Sequence, residues 1–397
     1  MRVLFLTHTV PYPPVSGERI RTWSLMRELR ERGWSVSLFA LGPEERAQAP
    51  AELAEVCGDL LVASPRLRAR ARMLASIVRR RAFHETMYLD AGAAERLRAW
   101  PALAQADVLV TSLFTFPYVA AELRRRTVLD PHNAEGRRLA SMAAALGRTP
   151  RGLAARLQVG PVTRFEADAV RSVARTLAVS REEAALFESY APGRVDVVPN
   201  GVDPDERRFR AEPPADPEIL FVGSLDYGAN VDAVRFLAGA IAPLLGTPAA
   251  RLTVVGSNPA PAVRSAAEAA PIPVDVKGHV PSVEPHFRAA RALAVPLRFG
   301  GGTRLKILEA LARGVPVVTT SIGCEGLELE DGRHLLVADE PADFARALDR
   351  VLADDELCRS LAAAGFAAVR QRYSWHAAGE VLHDALARVA AAAGSRP

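Results

Sequence analysis

The chain has 397 residues, more than one hydrophobic core usually accommodates, so two domains are predicted. Its composition, 49% hydrophobic and 24% charged, is that of a globular protein, and a net charge of +4 gives no support for nucleic-acid binding. Three scattered cysteines exclude a disulfide framework, and no apolar run reaches the ~18 residues of a membrane span. The lack of a recognisable signal peptide favours a cytoplasmic location.

The first predicted elements are those of a Rossmann-like domain. Residues 2–6 are predicted to form a buried strand, residues 18–32 a helix and residues 34–41 a second strand. The loop before the helix contains Ser16 and Gly17, but it lacks the G-x-G-x-x-G pattern of dinucleotide-binding proteins. A dinucleotide-dependent oxidoreductase is therefore disfavoured.

Residues 65–83 form a basic amphipathic segment. The segment has seven arginines and no acidic residue, together with apolar residues such as Leu74, Ile77 and Val78. Segments of this kind bind anionic membrane surfaces, and Arg66–Arg81 is a candidate membrane contact. A solvated, arginine-rich helix is an equally good interpretation.

A histidine follows one of the next predicted strands. Residues 106–112 and 127–130 are predicted strands, and the second leads into His132, Asn133 and Glu135. Open α/β sheets bind ligands at the carboxyl ends of their strands, which makes His132 a candidate functional residue. The alternative is a loop histidine with a structural hydrogen bond. Residues 137–160, polar, glycine-containing and weakly patterned, are a candidate acceptor-side flap.

The predicted domain boundary lies near residue 200. The proline-rich, charged stretch 205–218 has the composition of a linker, and strand–helix alternation restarts after it. The predicted domains are 1–200, with 377–397 as an additional terminal helix, and 201–376. In the second domain, Gly223 and Ser224 directly follow the first predicted strand.

The most informative stretch is residues 297–313, LRFGGGTRLKILEALAR. It predicts a glycine loop that opens a helix, with Gly314 as the helix C-cap. Bare backbone and a helix N-terminus favour an anionic ligand. Lys306 is one of only two lysines among fifty basic residues, and a compact ammonium suits a phosphate. The alternative is a glycine-rich turn with a surface Lys–Glu pair.

The segment GGGTRLKILEALARGVPVVTT resembles the donor-binding segment of GT-B glycosyltransferases, within the large retaining group that uses nucleotide sugars, the group 1 type. The HN-x-E motif at 132–135 and the NGVD turn at 200–203 are similar to motifs of the same family, so the resemblance spans nearly the whole chain. One departure is Gly301, where many members have a glutamate eight residues before the one matched by Glu309. A narrower resemblance is to sugar transferases of exopolysaccharide and exosortase (PEP-CTERM) systems.

The resemblance implies a donor site. Glu309 would bind the ribose hydroxyls of the nucleotide, while Thr303, Arg304 and Lys306 would bind the diphosphate. Ser16 and Gly17 match a loop that faces the diphosphate, although a turn that caps the helix is the alternative. The remaining donor-side residues are Gly223, Ser224, Gly301, Gly302 and Val280, the last in a loop that would hold the nucleobase through backbone groups.

The resemblance also implies the catalytic residues. His132 would lie close to the transferred sugar, with Asn133 and Glu135 on the acceptor side. Arg304 and Lys306 would stabilise charge on the departing diphosphate in place of a metal. No metal and no other cofactor are therefore predicted.

The expected fold class is α/β of the GT-B type: two Rossmann-like domains that face each other across a cleft, with the C-terminal helix returning to the N-terminal domain. The expected activity is transfer of a sugar from a nucleotide-diphosphate sugar to a glycan or lipid-linked acceptor in polysaccharide synthesis, with retention of configuration. A nucleotide-sugar 2-epimerase of the same fold and a non-catalytic binding subunit are the alternatives.

Overall fold

The structure is a computed structural model that describes residues 1–43, 51–64, 69–205, 208–300 and 304–394, with side chains omitted at 69–71. The chain divides into two compact units. Unit 1 is Met1–Asn200 with Trp375–Pro397, and unit 2 is Gly201–Ser374. Within the described ranges, no helix is long and apolar enough to cross a membrane.

Unit 1 contains a seven-stranded sheet in which every adjacent pair is parallel. Its strands are β1 Arg2–Thr7, β2 Ser35–Leu41, β3 Asp59–Ala63, β4 Val108–Thr111, β5 Thr127–Leu129, β6 Arg175–Ala178 and β7 Val195–Val197. The spatial order is β3-β2-β1-β4-β5-β6-β7. Val3 at the sheet centre pairs with Val36 and Val108, and all three side chains are buried. Burial on both faces explains why these strands are continuous apolar runs.

The helices of unit 1 connect these parallel strands. They are α1 Gly17–Glu31, α2 Ala51–Val56, α3 Ala69–Val78, α4 Ala91–Ala99, α5 Pro101–Gln105, α6 Glu135–Leu146, α7 Pro150–Ser172 and α8 Arg181–Tyr190. Short 3₁₀ turns at 83–85, 116–118 and 121–126 complete the connections. The strand order places a topological switch point between β1 and β4, where open sheets bind ligands.

The prediction of a flap at 137–160 was wrong. Most of this region belongs to α6 and α7, which pack against each other. The glycines and prolines that suggested a loop have other roles. Pro150 is the first residue of α7, where its missing N–H costs nothing. Gly136 lets the two helices approach, since a Cβ there would overlap the side chain of Thr163.

Unit 2 repeats the doubly wound plan with six parallel strands. These are β8 Glu218–Val222, β9 Arg251–Val255, β10 Val274–Gly278, β11 Ala292–Val295, β12 Val317–Thr319 and β13 Leu336–Val337, in the order β10-β9-β8-β11-β12-β13. Its helices are α9 Gly228–Phe236, α10 Pro261–Glu268, α11 Glu284–Ala289, α12 Leu305–Leu311, α13 Pro341–Ala353 and α14 Asp355–Arg372. The switch point lies between β8 and β11.

The last helix, α15 Trp375–Gly394, belongs to unit 1, as the resemblance implied, and starts two residues before its predicted N-terminus. It packs against α1. The indole Nε1 of Trp34 donates a hydrogen bond to Nδ1 of His383 at 2.9 Å. Gly379 allows the close approach, because a Cβ there would lie 2.7 Å from Cβ of Glu28.

Candidate functional site

In unit 2, a glycine follows the carboxyl end of each of the neighbouring strands β8 and β9, so no side chain covers the backbone there. Gly223 follows β8 and Gly256 follows β9, and a Cβ on Gly256 would overlap the carbonyl of Gly223. A Cβ on Gly223 would lie 2.8 Å from Nζ of Lys306 and 2.7 Å from Nδ2 of Asn230. Glycine is therefore required where these strands end, and a ligand there meets main chain rather than side chains.

Lys306 lies in the first turn of α12 and reaches the same place. Its Nζ donates a hydrogen bond to Oδ1 of Asn230 at 3.0 Å and lies 4.5 Å from the ring centroid of Phe221. Among the described residues, no carboxylate oxygen lies within 4.0 Å of this ammonium. Burial, together with the nearby charge of Arg304, lowers the pKa of Lys306 to about 7. A half-buried cation beside a second cation, with no carboxylate partner among the described residues, favours an anionic ligand.

Arg304 immediately precedes α12 and adds a second positive charge. Its side chain is buried, and burial lowers the pKa of its guanidinium from the ordinary value. Gly300 has a φ of 126°, a conformation that residues with a side chain rarely adopt, so glycine is favoured there too. Because α12 has only seven residues, the anion preference at this place depends on the two side-chain charges rather than on the helix.

Glu309 lies one turn after Lys306 on α12 and is half-buried. Burial raises the pKa of its carboxyl group, against the opposing effects of Arg313 and Lys306. Arg313 instead pairs with Glu284, Nε to Oε2 at 3.0 Å, and donates from Nη1 to the backbone carbonyl of Glu309. No residue in the described part of the chain donates a hydrogen bond to the Glu309 carboxylate. Its acceptor oxygens are therefore available to hydroxyl donors.

The other predicted donor-side residues of unit 2 occupy the neighbouring loops. Ser224 Oγ donates to Oδ1 of Asp226 at 2.7 Å, so the loop after β8 has an acidic group rather than a basic one. Val280 is half-buried in the loop after β10, which turns at Gly278 with φ of 70°. The remaining three predicted residues lie outside the described residues: Gly301, Gly302 and Thr303.

In unit 1, His132 lies in the loop between β5 and α6. Its φ of 65° is a left-handed conformation that costs a non-glycine residue free energy. Its Nδ1 lies 4.0 Å from Oδ2 of Asp130 and, within the described residues, has no hydrogen-bond partner although it is buried. Burial opposes ionisation of Asp130, yet Arg21 and His132 together hold the pKa of that carboxyl below its usual value. The imidazole therefore stands beside a carboxylate.

Arg21 explains how Asp130 is held. Its Nε donates to both Asp130 oxygens, at 3.1 and 2.9 Å, and its Nη1 donates to Val198 O and Asn200 Oδ1. One buried arginine on α1 therefore ties the loop after β5 to the end of β7. Ser16 and Gly17 start the same helix, and the Ser16 hydroxyl makes no capping hydrogen bond.

Asn133 and Glu135, predicted on the acceptor side, differ in burial. Asn133 is half-buried, whereas Glu135 is buried and its Oε1 and Oε2 accept hydrogen bonds from Arg138 at 2.9 and 2.6 Å. Its Oε2 also lies 3.4 Å from Nε2 of the buried His84. Although burial opposes ionisation, His84 and Arg138 lower the pKa of Glu135 to about 2. The structure thus gives this carboxylate internal partners, and its acceptor-side role stays a prediction.

Two family models match the chain, one on each side of residue 210. The model described as Glycosyltransferase Family 4 matches residues 15–206, and the model described as Glycosyl transferases group 1 matches residues 216–354. The chain belongs to the group 1 glycosyltransferases. The predicted family is thereby confirmed.

Solved structures show the fold of this group 1 chain to be GT-B, as predicted. Sucrose-phosphate synthase from Thermosynechococcus elongatus is 19% identical with a TM-score of 0.74, covering 99% of this chain and 100% of that one. HepE from Anabaena, solved with UDP and glucose, is 15% identical with a TM-score of 0.66, covering 98% and 100%. TarM is 8% identical with a TM-score of 0.71, covering 97% and 98%.

Curated relatives align with a shorter part of the group 1 chain. A D-inositol 3-phosphate glycosyltransferase from Corynebacterium jeikeium is 37% identical over 101 residues, and one from Streptomyces bingchenggensis is 33% identical over 103. These alignments cover 24% and 25% of this chain, and 23% and 22% of the relatives. The matched region is thus about a quarter of each protein.

Several polar residues near Lys306 in unit 2 and near His132 in unit 1 were not predicted from sequence. Asn230, which accepts from Lys306, and Arg21, which holds Asp130, are separated from their partners by 76 and 109 positions. His8 directly follows β1, and its ring lies 4.8 Å from Tyr88 and 4.5 Å from Phe114. Its position after a central strand was a signal that could have identified it.

Proposed function

We propose that the protein transfers a sugar from a nucleotide-diphosphate sugar to a glycan or lipid-linked acceptor. In this reaction the bond from the anomeric carbon to the diphosphate breaks, and its electron pair goes to the diphosphate oxygen. The acceptor hydroxyl oxygen bonds to the anomeric carbon, and the hydroxyl proton is released with the leaving group. Stabilising charge on that diphosphate is the main catalytic requirement.

The observation that carries the proposal is the half-buried ammonium of Lys306, which has no carboxylate partner among the described residues. It hydrogen-bonds the neutral Asn230 and has Arg304 as a cationic neighbour. The positive charges of Arg304 and Lys306 are stabilised when a diphosphate binds, and more strongly as negative charge develops on it. The same charges make the proposed reaction metal-independent. Thr303, Gly301 and Gly302 complete the proposed diphosphate loop by resemblance.

Glu309 supports the assignment of the ligand as a nucleotide. Its carboxylate lies one helical turn from Lys306, and its oxygens accept no hydrogen bond from the described residues. Two adjacent ribose hydroxyls are donors that match such a carboxylate. The HepE structures, solved with UDP and with UDP-glucose, support a nucleotide sugar as the ligand, although those complexes describe that protein.

The finer assignments belong to the same proposal. His132 contacts the transferred sugar, Ser16 and Gly17 face the diphosphate, and Val280 contacts the nucleobase. The transfer retains anomeric configuration and serves exopolysaccharide or other cell-surface polysaccharide synthesis. The protein acts in the cytoplasm, peripheral to the membrane, where Arg66–Arg81 contacts anionic lipid. Of that segment, residues 65–68 lie outside the described residues.

Thermal shift with a panel of nucleotide sugars tests the donor assignment. Lys306→Ala should weaken binding of nucleoside diphosphate by on the order of 2 kcal/mol, while binding of the nucleoside alone stays near wild type. Arg346→Ala is the matched control, since Arg346 is an exposed cation on α13 of the same unit. Equal losses for nucleoside and diphosphate would show that Lys306 is structural.

Incubation of the best donor without acceptor separates transferase from epimerase. A 2-epimerase interconverts the sugar of the nucleotide sugar by itself, whereas a transferase leaves the sugar unchanged until an acceptor is added. Lipid-linked sugars are then supplied as acceptors, and a transferred sugar is detected on the lipid. Donor binding with no transfer to any acceptor would favour the non-catalytic alternative.

A further inference from the structure

Two helices of unit 1 expose large apolar side chains. On α3, Leu74 is 64% exposed and Val78 is 75% exposed. On α7, Leu153 is 48% exposed and Leu157 is 62% exposed. Each pair is spaced four residues apart, so its members share one helix face. The two helices pack against each other, which brings the two apolar stripes onto neighbouring elements.

These four side chains are absent from the hydrophobic clusters in the described part of unit 1. The inner faces of both helices contribute other residues to a hydrophobic cluster, with Ala155 of α7 buried in it and Met73 and Val159 packed against it. On α7, Leu153 and Leu157 lie two residues on either side of Ala155, a spacing that turns them about 160° away from it. Packing in this cluster therefore does not explain why apolar residues occupy these exposed positions.

The surroundings of the two stripes are strongly basic. Residues 69–82 and 137–165 together contain eleven arginines and no acidic residue. Those with exposed side chains are Arg79, Arg80, Arg81, Arg137, Arg148, Arg151, Arg156 and Arg164. The nearest acidic residue after α3 is Glu85, which pairs with Arg81. Three of these arginines, Arg151, Arg156 and Arg164, lie on α7, and Arg79–Arg81 directly follow α3, so positive charge lies close to both apolar stripes. The exposed Asp168, farther along α7, pairs with Arg171.

We propose that the exposed faces of α3 and α7, the α3–α7 surface, dock unit 1 on an anionic lipid bilayer. Anionic lipid headgroups would pair with the arginines, and the acyl-chain boundary would bury the leucines and the valine. A bilayer is therefore a single partner that binds both kinds of side chain. A purely polyanionic partner leaves the four apolar side chains in water. The inference deepens the proposed function by adding a second helix to the membrane contact, and it rests on that function for its purpose.

Vesicle co-sedimentation tests the surface with the full chain. Vesicles of phosphatidylcholine alone are compared with vesicles of equal parts phosphatidylcholine and phosphatidylglycerol. The protein should sediment with the second kind at low salt, remain in solution with the first, and be released by high salt. Wild-type protein that ignores the anionic vesicles, or binds both kinds equally, overturns the proposal.

Variants on α7 test whether this helix contributes to vesicle binding or whether α3 alone accounts for it. Leu153→Ser with Leu157→Ser should lower the vesicle partition coefficient by roughly tenfold, because shallow insertion of the apolar pair is lost. Arg151→Ser with Arg156→Ser should lower it and weaken its salt dependence. Leu244→Ser, at a leucine of unit 2 that is 51% exposed, is the control and should sediment as wild type.

Nucleoside diphosphate binding is measured on every preparation. It should be unchanged in all of these variants, since the candidate donor residues Lys306 and Glu309 are in unit 2. Unchanged nucleotide binding also reports that the protein is folded. If the α7 variants sediment as wild type, the α3–α7 surface is wrong while the proposed function stands. If wild-type protein binds the anionic vesicles but no nucleoside diphosphate, the proposed function is wrong while the α3–α7 surface stands.

Discussion

The backbone N–H of Glu135 donates a hydrogen bond to Oε1 of Glu166 at 2.6 Å, and this bond ties α7 to the loop that carries His132. A second bond joins the N–H of Ala134 to Oε1 of Glu183 at 2.9 Å. Two buried glutamates from different helices therefore hold the chain just after the strained His132. We infer that they maintain its left-handed conformation, which would otherwise relax.

This arrangement predicts that stability depends on pH. Burial raises the pKa of Glu166 to about 8 and that of Glu183 to about 7, and the nearby Glu135 carboxylate acts in the same direction. Both values exceed the ordinary 4.5, so the folded state binds more protons between about pH 4.5 and 8. The free energy of unfolding should therefore fall as pH rises through this window, by on the order of a few kcal/mol.

Denaturant unfolding at a series of pH values measures the effect. Glu166→Gln keeps an acceptor for the Glu135 N–H but cannot ionise, so the decline in stability between pH 5 and 8 should become shallower. Glu182→Gln is the control, because Glu182 is exposed on α8 beside Glu183. An identical pH profile for wild type and Glu166→Gln would contradict the assignment.

His132 is expected to affect turnover more than donor affinity. It lies in unit 1, whereas the candidate donor residues Lys306 and Glu309 are in unit 2. His132→Ala should lower kcat by roughly 100-fold or more, with little change in nucleotide binding. His376→Ala, at an exposed histidine of α15, is the control. An unchanged kcat in the His132 variant would remove this residue from the site.

Lys306 predicts a pH dependence of ligand binding. Its pKa is about 7 without ligand, and a bound diphosphate raises it by favouring the ammonium. Above pH 7 the protein must therefore take up a proton on binding, so affinity should fall as pH rises, by at most about tenfold per pH unit. Arginine stays charged in this range, so Lys306→Arg should flatten the profile. The affinity of wild type and of Lys306→Arg for one nucleoside diphosphate is measured by calorimetric titration at a series of pH values. Ionisation of the ligand contributes equally to both profiles, so their difference reports Lys306.

The strands and the glycine–lysine–glutamate segment could be predicted because their signals are local. Apolar runs mark β1, β4, β8 and β11. Gly314, predicted as the helix C-cap, has a positive φ of 70°, although α12 ends earlier, with Ala312 as its C-cap. The α6–α7 region was mispredicted because its weak patterning and its glycines, such as Gly152, indicate a loop locally, whereas the contact between the two helices is a tertiary feature.

The partners of the site residues could not be predicted for a different reason. Asn230 near Lys306 and Glu166 near Glu135 are ordinary polar residues on helices, and nothing in their local pattern indicates a partner. Their roles arise only when crossover connections bring distant segments to one edge of a sheet. A single sequence contains no signal for that juxtaposition.

Glu309 should discriminate between ribose and deoxyribose. Because no described residue donates to its carboxylate, its oxygens are predicted to accept the ribose hydroxyls, and Glu309→Gln weakens those charge-assisted bonds. Wild type should bind a ribonucleoside diphosphate more tightly than its 2′-deoxy analogue by on the order of 1–2 kcal/mol, and the variant should lose most of that difference. Glu284→Gln, which weakens the ion pair with Arg313 but leaves the Glu309 carboxylate in place, is the control and should keep the preference. The comparison of two proteins with two ligands isolates the contact between Glu309 and the 2′-hydroxyl from any change in stability. A Glu309→Gln variant that keeps the full ribose preference but unfolds at a much lower temperature would show that the residue is structural.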